Sequence, residues 1–65
     1  ELKMKQNHYI VTFNNGKTVF ASGFNTEEVE ILAKAVMIKN GLSYDIKSVK
    51  TTSNLSDMAD TDFVA

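Results

Sequence analysis

The sequence predicts an α+β domain: a three-stranded antiparallel sheet in the order 2-1-3, one helix on one of its faces, and a flexible acidic C-terminal tail. Three observations predict it. Two runs rich in β-branched and aromatic residues, 8–13 and 18–21, flank Asn14-Asn15-Gly16-Lys17, the pattern of a β-hairpin. Thr26 to Lys39 repeats its apolar residues at helical spacing, and residues 43–50 alternate apolar and polar as a strand does.

The hairpin has two conceivable registers. A two-residue turn at Asn15-Gly16 gathers Tyr9, Val11, Phe13 and Phe20 on one face. A three-residue loop with Gly16 in a bulge gathers Tyr9, Val11, Phe13, Val19 and Ala21, and leaves Ile10 and Phe20 among threonines. The second is preferred, because it separates apolar from polar more cleanly.

The helix has well-marked ends. Asn25 can cap it, with Thr26 a competing cap; Glu28 stands at the capping-box position and Phe24 can staple to Val29. Asn40-Gly41 ends it, with Leu42 placed to pack back on Met37. Around the helix run two apolar stripes. Val29, Leu32, Ala33 and Val36, with Met37 at the edge, form one; Ile31, Ala35 and Ile38 form another on nearly the opposite side. A helix on a small sheet needs one stripe. Burying each isoleucine of the second would contribute roughly 1.5–3 kcal/mol, comparable with the whole stability of about 3–5 kcal/mol expected at this size. Ile31, Ala35 and Ile38 are therefore the expected protein interface, most simply that of a two-fold homodimer.

In the third strand Tyr44 and Ile46 share one side, and Val49 breaks the parity, which predicts a bulge or strand end near Ser48. A right-handed crossover through the helix sets this strand beside the first. One sheet face is then uncovered, and Ile10, Phe20, Lys17, Lys47 and Lys50 become the expected partner or nucleic-acid face.

Residues 1–52 are thus read as one small domain, with residues 1–3 as a cloning remnant, and residues 53–65 as the acidic tail, flexible or a short helix. The tail holds Asp57, Asp60 and Asp62 and no basic residue. Ser56-Asp57 could cap a helical turn, and Leu55, Met58 and Phe63 are the expected tail contacts, over the sheet or with a partner.

Composition narrows function more by exclusion. With no cysteine and one histidine, disulfides and thiolate metal sites are excluded and a structural zinc site is not expected. The net charge of −1 points to no polyionic partner. No run reaches the roughly 18 apolar residues of a membrane span, so a cytoplasmic protein without membrane contact is expected. His8 opens a strand beside no recognisable nucleophile. The three aspartates lack the ligand alternation of a calcium loop, and the three glycines make no phosphate-binding spacing. No cofactor, metal or catalytic residue is expected. A lysine-flanked sheet with Tyr9, Phe13, Phe20 and Tyr44 could bind single-stranded nucleic acid weakly, the alternative to a protein partner.

All seven basic residues are lysines, and arginine, proline and tryptophan are absent, a bias that suggests an AT-rich coding genome. This Lys/Asn-rich, cysteine-free hairpin–helix–strand chain with an acidic tail resembles small accessory proteins of bacteriophages and mobile elements. The resemblance spans the chain without resting on a motif. It implies a non-enzymatic protein that binds and modulates a host protein.

Overall fold

The computed structural model describes residues 6–65, so the reading of residues 1–3 lies outside it. Six elements follow along the chain: β1 (Asn7–Phe13), β2 (Thr18–Gly23), α1 (Thr26–Lys39), β3 (Ile46–Thr52), α2 (Ser56–Ala59) and β4 (Phe63–Val64). They build one sheet in the order β3-β1-β2-β4. The three expected strands keep their expected order and antiparallel pairing. The expectation of three strands is corrected by β4, which pairs parallel to β2 and makes the sheet four-stranded and mixed.

The hairpin takes the three-residue loop. Val11 faces Val19 and Thr12 faces Thr18. The Phe13 N–H donates to the Lys17 carbonyl at 2.9 Å and the Gly16 N–H to the Phe13 carbonyl at 3.0 Å. Gly16 adopts φ 86°, the left-handed geometry that a bulged hairpin needs and a side chain resists. This register puts Tyr9, Val11, Phe13, Val19 and Ala21 on one face, all buried.

Helix α1 lies on that face through Val29, Ala33 and Met37, each fully buried. Both of its ends carry caps. The Asn25 side chain accepts from the Glu28 N–H at 2.9 Å, while Glu28 Oε1 accepts from the Phe24 N–H at 3.4 Å. At the other end Leu42 N–H donates to Met37 O at 2.9 Å and Gly41 N–H to Ile38 O at 3.0 Å, a Schellman ending with Gly41 at φ 69°. The turn of the hairpin is tied to this end, because Asn15 Nδ2 donates to Ser43 O at 3.2 Å.

The predicted irregularity in the third strand is a bulge. Ile46 pairs with Phe13 but Ser48 with Thr12, leaving Lys47 as the extra residue. The bulge lets Ile46 and Val49 both reach the core despite their odd spacing.

The tail is not a flexible extension. β3 and β4 lie at opposite edges of the sheet, so residues 53–62 must cross one of its faces. They cross the face away from α1, where Asp57, Asp60 and Thr61 look onto Ile10, Thr12, Thr18 and Lys50. The connection from β2 through α1 to β3 runs over one face; the return to β4 reverses both direction and face. Two such reversals leave the handedness of the crossover unchanged. A chain obeying the right-handed crossover rule on the way out must therefore return on the far face.

This strap is held mainly by polar contacts. Asp62 Oδ2 accepts from the Thr18 N–H at 2.8 Å and the Thr18 hydroxyl at 3.3 Å. The Asp62 N–H donates to Thr18 O at 3.1 Å, the Ala65 N–H to Phe20 O at 2.8 Å, and the Thr52 hydroxyl to Asp57 Oδ2. The short helix α2 is started by Asn54, whose Oδ1 accepts from the Ser56 N–H and hydroxyl, and not by a Ser56-Asp57 cap.

Candidate functional site

Two surfaces remain once the core is assigned: the outer face of α1, and the strap-covered face of the sheet. The first follows from helical geometry. Packing Val29, Ala33 and Met37 against the sheet turns Ile31, Ala35 and Ile38 away from it. Ile31 is 69% exposed and Ile38 60%, with Ala35 between them and Leu32 beside them at 40%. The strap lies across the opposite face of the sheet and gives them no cover. Among the described residues, the tail therefore does not bury the second stripe.

The flanks of this stripe are charged. Glu27 and Glu28 stand in its first turn and Lys39 in its last, each stabilised there by the sign of the helix dipole. Lys34 lies on the side shared with Glu27 and Glu30. The surface thus consists of four aliphatic residues running between an acidic and a basic end.

The second surface is a polar cleft of about 310 Å³ between sheet and strap. Hydroxyl-bearing Thr12, Thr18, Thr51, Thr52 and Thr61 line it together with Ile10, Lys50, Asp57 and Asp60. Lys50 shares the lining of this cleft with two aspartates of the strap. Of the residues expected on this face, Phe20 is buried at 5% exposure and Ile10 is half-buried. Lys50 alone of the three lysines lines the cleft; Lys17 is exposed in the hairpin turn and Lys47 in the bulge. The structure therefore does not assemble Ile10, Phe20, Lys17, Lys47 and Lys50 into one open basic platform.

The expected tail contacts divide in the same way. Phe63 packs against the core, whereas Leu55 at 67% and Met58 at 42% exposure point to solvent. Tyr9 and Phe13 are core, and Tyr44 is half-exposed in the loop before β3.

One contact escapes sequence reasoning. Pairing of β1 with β2 sets His8 opposite Ser22, and His8 Nδ1 lies 2.7 Å from Ser22 Oγ, with the imidazole stacked on Phe20 at 5.5 Å. The signal was available only through the hairpin register. A serine–histidine contact is one part of a nucleophile-activating arrangement. Catalysis also requires a group that orients the imidazole and donors for a developing oxyanion. Neither accompanies His8 among the described residues, where its one side-chain hydrogen bond is with Ser22.

Among the described residues, no group of three histidine, cysteine, aspartate or glutamate side chains is gathered to hold a metal ion. None of the helices there is long and apolar enough to cross a membrane. Compared with protein-family models, with curated proteins and with solved structures, the chain gives no match.

Proposed function

We propose that this chain is a non-enzymatic protein–protein interaction module that self-associates through Ile31, Ala35 and Ile38 of α1. One observation carries the reading: a continuous aliphatic stripe stays exposed on a fold that has already covered both faces of its sheet. An isolated exposed isoleucine is ordinary. Two of them on one helical line, joined by Ala35 and Leu32, form a contiguous patch of the kind that marks contact surfaces. In a 65-residue chain without disulfides, association is also a natural source of added stability. The phage-like composition fits a cytoplasmic accessory role in which the assembled module engages a host protein.

The test is molar mass by sedimentation equilibrium over a hundredfold range of concentration. The expected result is a reversible dimer, reduced to monomer by Ile31→Glu with Ile38→Glu while the helical circular dichroism signal persists. A wild-type chain that stays monomeric throughout overturns the reading.

A second reading, weak binding of single-stranded nucleic acid, rests on the half-buried His8 ring and the exposed Lys50 on the strap-covered face. The strap and its aspartates oppose it. This reading predicts salt-sensitive binding of a labelled oligonucleotide, strengthened by Asp57→Asn with Asp60→Asn. No binding at low salt ends it.

A further inference from the structure

We infer that the second copy docks antiparallel, so that Ile31 of one protomer packs on Ile38 of the other and Glu28 meets Lys39 at both ends. The inference rests on the self-association reading above and adds the orientation and the residues that select it.

Charge decides the orientation. The exposed stripe begins beside Glu27 and Glu28 and ends beside Lys39. A parallel pair would set carboxylate against carboxylate at one end and ammonium against ammonium at the other, with aligned helix dipoles. An antiparallel pair sets each acidic end on a basic one and opposes the dipoles.

Helical position makes the match closer. Glu28 and Lys39 project within about 20° of one another around the helix axis, on the Leu32 side of the stripe. A two-fold axis perpendicular to the helices brings like flanks together, so Glu28 of one copy meets Lys39 of the next. The midpoint between Glu28 and Lys39 and the midpoint between Ile31 and Ile38 differ by about one residue, or ~1.5 Å of helix. One dyad near Ala35 therefore satisfies both pairings.

Two further features agree. Ala35 at the crossing point lets the helices approach to the short end of the usual 8–10 Å. Lys34 on the other flank has carboxylates at Glu27 and Glu30 beside it, which offset its approach to its own symmetry mate. Glu28 uses Oε1 to accept from Phe24, and a carboxylate has a second oxygen to offer Lys39. Because the contact is isologous, it closes at two copies.

The chain has no cysteine, so an introduced thiol is unique. Full-length Ile31→Cys, Ile38→Cys and Ala35→Cys are oxidised mildly, alone and in mixture, with Lys17→Cys as a control for random collision. Expected is a 31-to-38 cross-link in the mixture, well above self-linking of either variant, and self-linking of Ala35→Cys above the control. Self-linking of Ile31→Cys and of Ile38→Cys without the mixed product means a parallel pair: it overturns this inference and leaves self-association standing. Ala35→Cys no better than the control overturns both.

Charge reversal supplies an independent readout. Glu28→Lys and Lys39→Glu should each weaken the dimer by about fivefold, and the double variant should recover it. Dimerisation indifferent to both single reversals removes these residues as the selectors of orientation.

Discussion

The two faces of the sheet are covered by different physics. On the α1 side, Tyr9, Val11, Phe13, Val19 and Ala21 meet Val29, Ala33 and Met37 with almost no surface left to water. On the strap side, threonine hydroxyls and aspartates surround an open cleft, and the holding contacts are hydrogen bonds to Thr18, Phe20 and Thr52. Apolar burial contributes cooperatively and in proportion to area, whereas each exposed hydrogen bond contributes only a small net amount. The α1 side should therefore set global stability, and the strap should open locally without it.

The sharpest way to break this contrast is in the core. Phe13 is the largest fully buried side chain, and Phe13→Ala should cost about 3–5 kcal/mol, enough to unfold a domain of this size. Loss of dispersion in the amide NMR spectrum would record it. Retention of a folded spectrum would mean the α1 side matters less than its burial implies.

On the other face, Asp62→Ala removes the acceptor for two donors of Thr18. An opening of about 1–2 kcal/mol is expected, seen as faster amide exchange over residues 53–65 with β1 and α1 protected as before. Uniformly faster exchange would show that the strap belongs to the same cooperative unit as the core.

Gly16→Ala should cost about 1 kcal/mol in thermal melts, through backbone strain alone, since an added Cβ meets nothing within 4 Å. A neutral result would require the hairpin loop to relax out of its left-handed geometry. Smallest of all, Ile31→Glu with Ile38→Glu should leave the stability of the dilute monomer within about 0.5 kcal/mol. A larger loss would place those side chains in the fold rather than on its outside.

How much was legible depended on the range of the determining contact. The hairpin register could be read because only one choice puts five apolar side chains together. Asn25, Glu28, Asn40 and Gly41 announced the helix ends because caps are made within a few residues. The bulge at Lys47 showed as broken parity between Ile46 and Val49. The outer stripe was legible as a set of residues, since its exposure follows from which side of α1 faces the sheet.

The strap was legible only as one alternative, a tail over the sheet or a short helix, because its anchors at Thr18 and Phe20 join residues more than forty positions apart through an aspartate and a backbone amide. Such contacts leave no periodic trace in sequence. Phe20 carried a hint: a large aromatic on the supposedly open face implied a cover. The polar richness of residues 51–62 pointed to disorder, yet those same side chains supply the strap's hydrogen bonds. Ser22 beside His8 was hidden for a related reason, as cross-strand neighbours emerge only when the register is settled.

The bulge at Lys47 has a bearing on solubility. β3 is an outer strand, and a regular seven-residue edge invites end-on growth of sheet upon sheet. Here the ladder is broken between Ile46 and Ser48, and Lys47 and Lys50 place two positive charges along seven residues. Copies meeting edge to edge would find mismatched amides and mutual repulsion. Open-ended polymerisation is thus discouraged at the β3 edge.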